Sequence, residues 1–206
     1  MLHSIYQQWL DGLLNTSWIE GIAVVFGIIS VLYSRAANVL VYPTGLVNTT
    51  LYIYLCMESW LFAEASVNFY YTIMSIIGWY AWADRRADGQ AALAISRSSV
   101  REWWQATGFA AGAWLVLYLI LACFTKSTVP VADAFASATA YTAMWLMTRK
   151  KTENWIWWII TNLASIPLYF SKGLVFTSFQ YIVFLLLAIL GLIEWNKKLR
   201  EQEAKS

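Results

Sequence analysis

Histidine is almost missing from this 206-residue chain: His3, near one end, is the single imidazole. That removes most histidine-dependent acid–base and metal chemistry. Cysteine is nearly as scarce. Cys56 and Cys123 stand alone in apolar stretches, with no C-x-x-C pair and no histidine cluster beside them, so they read as packing residues and no metal site is expected. Charge is scarce too, at 13% of residues against 60% hydrophobic. A soluble domain of this length cannot hide that much apolar surface in one core, so the bilayer is the expected solvent. The chain has no G-x-x-x-x-G-K-[ST] loop for nucleotide hydrolysis and no run of carboxylates or histidines resembling a proton relay. No catalytic residue, cofactor or nucleic-acid partner is expected.

What fills the chain instead is a series of seven apolar stretches, at 18–34, 37–57, 61–83, 103–124, 130–148, 154–171 and 175–196. Each approaches the roughly 20 residues that a helix needs to span a bilayer. The fold class expected is an all-α membrane protein of seven transmembrane helices. Ahead of the first span, residues 5–14 suggest a short amphipathic helix lying at the interface, and the start lacks the basic stretch of a signal peptide.

Lys and Arg resist translocation, so their placement orients the spans. Arg35, Arg85, Arg86, Arg97, Arg101, Arg149, Lys150, Lys151, Lys197, Lys198, Arg200 and Lys205 all fall on one side of a seven-span chain, and only Lys126 and Lys172 on the other. This partition puts the N-terminus outside and the C-terminus in the cytoplasm.

The first three spans recur as the last three. Glu20 pairs with Asp133 and Trp82 with Trp195 at a spacing of 113; Arg35 with Arg149 and Asn48 with Asn162 at 114; Asn68 with Gln180 at 112. Three spans and one linker span make four crossings, so both halves start on the same side, giving 3+1+3 parallel repeats. The expected organisation is an interfacial segment at 1–17, a first repeat at 18–83, a loop and linker helix at 84–129, a second repeat at 130–196 and a tail at 197–206.

Within the spans, polar and aromatic residues recur at helical spacing. Thr44, Asn48 and Tyr52 share a face of the second span; Glu64, Asn68, Tyr71, Ser75 and Trp79 of the third; Trp158, Asn162, Ser165 and Tyr169 of the sixth; Gln180, Phe184, Leu187, Gly191 and Glu194 of the seventh. An amide left without a partner in hydrocarbon costs several kcal/mol. These stripes should therefore point inward, either to bond helix to helix or to line a small-molecule site. Amides at matched depths in two repeats favour the site. Gly108 and Gly112 form a G-x-x-x-G pattern in the fourth span that suits either self-association or internal packing, and Pro43, Pro130 and Pro167 are candidate bends, with Pro130 equally a helix start.

The run Trp79-Tyr80-Ala81-Trp82-Ala83-Asp84-Arg85 closing the third span resembles the paired-tryptophan and arginine signature of the PnuC nicotinamide riboside transporters. The length and the 3+1+3 order are similar as well, from about residue 18 to 196. The second half departs from the signature at Glu194-Trp195-Asn196. The resemblance implies a bacterial inner-membrane transporter with a SWEET-like fold, a homotrimer, and a nicotinamide riboside site at the centre of each protomer. It also implies facilitated diffusion, with uptake made one-way by a cytosolic riboside kinase; relatives carry thiamine or riboflavin instead. On that reading Asn48, Asn68, Asn162 and Gln180 bond the ribose hydroxyls and carboxamide, and Tyr52, Trp158 and Phe184 pack against the cationic ring. Glu64 and Glu194 draw the cation in and out at the two ends, with Trp79, Trp82 and Trp195 as gate residues. Two rival classes fit less well. A membrane enzyme wants an acid, histidine or metal cluster at one interface, and a retinal-type pigment wants a lysine buried in its last span, whereas Lys172 precedes that span and Lys197 follows it.

Overall fold

A computed structural model describes residue 7 and residues 17–58, 62–84, 92–125 and 128–204, with the backbone alone at 62–64 and 176. The expected interfacial helix at 5–14, the Glu64 side chain and Arg85 lie outside what is described. Among the described residues seven helices follow in order: α1 (Trp18–Arg35), α2 (Val41–Glu58), α3 (Phe62–Ala83), α4 (Val100–Phe124), α5 (Pro130–Thr148), α6 (Asn154–Ser171) and α7 (Val175–Glu203). Among the described residues there is no strand, only an isolated bridge between Ser96 and Lys151.

The ends of these helices follow local chemistry. Ser17 caps α1 by accepting the Glu20 amide at 3.1 Å. Ser99 and Glu102 close a capping box that starts α4 one turn earlier than hydropathy suggests. Val41 rather than residue 37 begins α2 because Ala37 turns the chain in the left-handed region, at φ 57°. Pro130 starts α5 at a position whose missing N–H is not needed, Pro43 sits in the first turn of α2, and only Pro167 lies inside a helix. The helix α7 continues through 197–203, the segment expected to be tail.

Taken singly, α1, α4 and α7 are long and apolar enough to cross a bilayer. The other four hold the polar stripes of α2, α3 and α6 and the most buried helix, α5, whose threonines Thr139, Thr142 and Thr148 all bond back to their own helix carbonyls. Polar groups thus gather where protein surrounds them.

Packing reproduces the repeat. α1 packs on α2 and α2 on α3; α5 packs on α6 and α6 on α7; the halves join where α3 meets α5 and α1 meets α7. Exchanging the halves maps each seam onto its counterpart. The linker α4 packs chiefly on α5, and its Trp103 also meets Trp157 of α6 at 6.5 Å. Side chains obey the same operation at a shift of 113. Trp82 Nε1 donates to the Met147 and Thr148 carbonyls, and Trp195 Nε1 to those of Ser34 and Arg35. Ser34 Oγ meets its own mate, Met147 Sδ, at 3.3 Å. A Cβ on Gly78 would strike the Tyr42 ring at 2.4 Å, and one on its mate Gly191 would strike Trp155 at 2.6 Å. Ala37 and Lys150, also mates, are the two non-glycine residues with positive φ among the described residues. Under this shift of 113 Arg35 and Asn48 are equivalent to Thr148 and Thr161, not to the Arg149 and Asn162 paired by side-chain likeness.

The thiols divide: Cys56 is buried as a packing residue, whereas Cys123 is exposed in the last turn of α4. Gly108 and Gly112 have nothing within 4 Å of a Cβ, so their close-approach face is turned away from the protomer.

Candidate functional site

Two places in the bundle gather the chemistry: an aromatic and amide cluster within it, and a tryptophan-lined seal at the end bearing Arg35, Lys150 and Lys198.

The cluster draws on α2, α3, α5, α6 and α7. The Tyr52 hydroxyl and the Gln180 side chain come within hydrogen-bonding reach of each other across α2 and α7. Tyr71 lies with its ring centroid 6.3 Å from that of Trp158 and 6.3 Å from that of Tyr141. Tyr141 in turn packs on Tyr70 at 4.2 Å, and Tyr70 donates its hydroxyl to the Tyr141 carbonyl at 3.1 Å. On the α6–α7 side Tyr181 stacks on Tyr169 at 5.1 Å, has its hydroxyl near those of Tyr169 and Ser165, and turns its edge to Phe184 at 6.1 Å. Tyr181 is also within electrostatic reach of both Tyr52 and Tyr71, which joins the two groups. Tyr71 and Phe184 occupy matching places in the repeats. Flat π faces and hydroxyls in a water-poor interior suit a ring that carries positive charge and a polar appendage.

Of the seven residues expected to bind substrate, the structure brings Tyr52, Trp158, Gln180 and Phe184 into this cluster. Asn162 is buried on α6 at 4% exposure, and Asn68 is half-buried one turn before Thr72, whose hydroxyl bonds the Asn68 carbonyl. Asn48 is different. Its Nδ2 donates to the Ala23 carbonyl at 2.7 Å, and Gly27 leaves it room, so this amide fastens α1 to α2. Tyr141 and Tyr181 escaped the sequence reading: Tyr141 lies on a helix of small residues with no visible stripe, and Tyr181 stands beside Gln180 on the flank of the stripe chosen. Tyr71 was in the third-span stripe, and its match to Phe184 was the available signal.

The seal is built from mates. Trp82 and Trp195 touch at 5.9 Å, each backed by an edge-on ring, Tyr42 at 5.1 Å and Trp155 at 5.7 Å. Trp82 and Trp195 are 5% and 0% exposed, whereas Trp79 is 41% exposed and does not join the pair. Lys150 lays its ammonium 4.6 Å from the Trp82 ring centre and donates to the Leu93 carbonyl at 2.9 Å. Burial pushes the Lys150 pKa down, and the ring and carbonyl are what hold the cation there. Glu194 binds Arg35 at 2.6 Å and Lys198 at 3.3 Å, closing α1 on α7 with an ionic clasp, and Lys198 also reaches the Ala36 carbonyl. The matching α3–α5 seam has Ala81 and Thr148 in the places of Glu194 and Arg35, so the seal is ionic on one side only. At the far end Asp133 is paired with Lys172 at 2.5 Å.

Residues 17–197 match the family model described as nicotinamide mononucleotide transporter. The nicotinamide riboside transporter PnuC of Escherichia coli (strain K12) is 24% identical over 216 residues, covering 93% of this chain and 90% of that protein. The riboflavin/roseoflavin transporter RibM of Streptomyces davaonensis is 29% identical over 125 residues, 59% of this chain and 58% of that one. The crystal structure of the vitamin B3 transporter PnuC superposes with a TM-score of 0.73 at 23% identity, covering 97% of this chain and 90% of that chain. With a family model spanning nearly the whole helical bundle, the chain belongs to the nicotinamide mononucleotide transporter family, the PnuC membrane transporters.

Proposed function

We propose that this chain carries nicotinamide riboside across the bacterial inner membrane by facilitated diffusion. The observation that carries the reading is the cluster itself: Tyr52 and Gln180 paired across α2 and α7, beside Tyr71, Trp158, Tyr181 and Phe184, in a chain similar along 93% of its length to a nicotinamide riboside transporter. Amides offer donors and acceptors to the ribose hydroxyls and the carboxamide, and the rings attract the pyridinium. Asn68 and Asn162 complete the polar lining.

Transport proceeds by alternating access. The units 18–83 and 130–196 rock against each other, joined by the loop and linker at 84–129. The tryptophan seal and the Arg35–Glu194–Lys198 clasp close the basic end, which the distribution of Lys and Arg makes cytoplasmic; the N-terminus is then outside. Glu64, Trp79, Trp82, Glu194 and Trp195 act at the gates. A cytosolic riboside kinase traps the product, since a phosphorylated riboside no longer fits the site. Protomers associate as a homotrimer in the lipid, and the open Gly108–Gly112 face of α4 offers a surface for close helix contact. Similarity to RibM supports a second reading, riboflavin as the cargo, over the same fold.

Liposomes containing the purified protein test this. Uptake of radiolabelled nicotinamide riboside should be saturable, should need neither ATP nor an ion gradient, and should be competed by unlabelled riboside. Uptake of riboflavin alone would reassign the cargo, and dependence on a proton or sodium gradient would end the facilitated-diffusion reading.

A further inference from the structure

Glu20 is an acid whose placement the transport reading does not yet use. α1 and α2 run antiparallel, and their register is fixed where Ala23 and Gly27 both meet Asn48. Carried one turn outward, that register sets Glu20 opposite Tyr52. The Glu20 carboxylate is within electrostatic reach of the Tyr52 hydroxyl, and Tyr52 lies beside Gln180 on α7, so three helices bring an acid, a phenol and an amide together.

Two comparisons within the chain set Glu20 apart. Its mate Asp133 is neutralised by Lys172 at 2.5 Å, whereas among the described residues no Lys or Arg lies within 4 Å of Glu20. The second concerns capping. The sequence S-x-x-E occurs at both helix starts, but Glu102 turns its carboxylate back to the Ser99 amide at 2.8 Å, while at Ser17 and Glu20 only the serine half of the box is made. The Glu20 carboxylate is not spent on its own helix end.

We propose that Glu20 is the specificity-determining residue that makes this site prefer a ligand with a positively charged ring. It does so as a through-space counter-charge at the edge of the Tyr52–Gln180 pair, and the inference rests on the riboside reading given above. A first-turn acid also steadies a helix by its interaction with the helix dipole, but that role is blind to the charge of the ligand.

The test therefore compares two ligands that differ in ring charge: nicotinamide riboside, a cation, and its reduced 1,4-dihydro form, which keeps the ribose and carboxamide and has a neutral ring. Both are titrated into the full-length protein in detergent. Glu20→Gln should weaken binding of the cation by roughly ten- to a hundredfold and change the reduced form by less than about twofold, while Glu20→Asp keeps the preference for the cation. Equal weakening of both ligands, or no change in either, would overturn the role of Glu20 while leaving the parent's binding intact. A parent protein that binds neither form would sink the riboside reading and this inference with it.

Discussion

Replacing Gln180 with Leu is expected to weaken nicotinamide riboside binding by roughly 30- to 700-fold, equivalent to about 2–4 kcal/mol. The ligand loses an amide that can both donate and accept, and the Tyr52 hydroxyl loses the neighbour across α2 and α7 that orients it. Leu is similar in volume and apolar, so the helix and its packing persist, and the thermal midpoint of the purified protein should fall by only a few degrees, the cost of removing the polar neighbour of Tyr52. Tyr52→Phe removes the same contact from the other side. The two changes should be less than additive when combined, since both remove the Tyr52–Gln180 contact. Calorimetric titration of the two single variants and the double variant measures this directly. Parental affinity in Gln180→Leu would remove Gln180 from the site.

Trp195→Ala is expected to cause the largest loss of stability, about 3–5 kcal/mol, through the cavity left by a fully buried indole and the loss of its contacts. The ring bridges the repeats. It packs on Trp82 at 5.9 Å and Trp155 at 5.7 Å, and its N–H binds the Ser34 and Arg35 carbonyls at 2.9 and 3.1 Å. Because Trp82 makes the matching bonds to Met147 and Thr148, both at 3.2 Å, Trp82→Ala should destabilise to a similar extent. Trp195→Phe keeps a ring but gives up the donor, at a cost of about 1 kcal/mol from the hydrogen bond. Thermal unfolding in detergent, followed by tryptophan fluorescence or by loss of the monodisperse peak, ranks the three. An unchanged midpoint in Trp195→Ala would mean that the two halves are not held together at this seal.

The symmetry explains why so much of the fold was legible in the chain. Span positions follow from hydropathy, and a wrong number of spans would have scattered the basic residues to both sides. The repeat was visible in Trp82 and Trp195 because indoles that cross-bond two halves must occur in pairs. Register was harder. Likeness of side chains suggested Asn48 with Asn162, but backbone geometry pairs Asn48 with Thr161, because the positive-φ turns at Ala37 and Lys150 fix the helices at a shift of 113.

The site was legible in part for a related reason. Periodicity says that a residue points inward, and Tyr52, Trp158, Gln180 and Phe184 do lie in the aromatic and amide cluster. It does not say what the residue meets there, so an amide bonding a neighbouring helix, such as Asn48 on Ala23, looks the same as one facing a ligand. Tyr141 was hidden because α5 is lined with alanine and threonine, and a single tyrosine on a helix of small residues makes no stripe. The ionic clasp of Arg35, Glu194 and Lys198 joins residues 159 and more positions apart, which local sequence patterns do not reveal.

The measurement that bears most directly on the central claim is calorimetric titration of the detergent-purified protein with nicotinamide riboside, alongside nicotinamide, thiamine and riboflavin. The predicted result is saturable binding of the riboside, with nicotinamide, which lacks the ribose and the ring charge, binding far more weakly or not at all. Binding of thiamine or riboflavin in place of the riboside, or silence from all four ligands in protein shown to be folded, would contradict it.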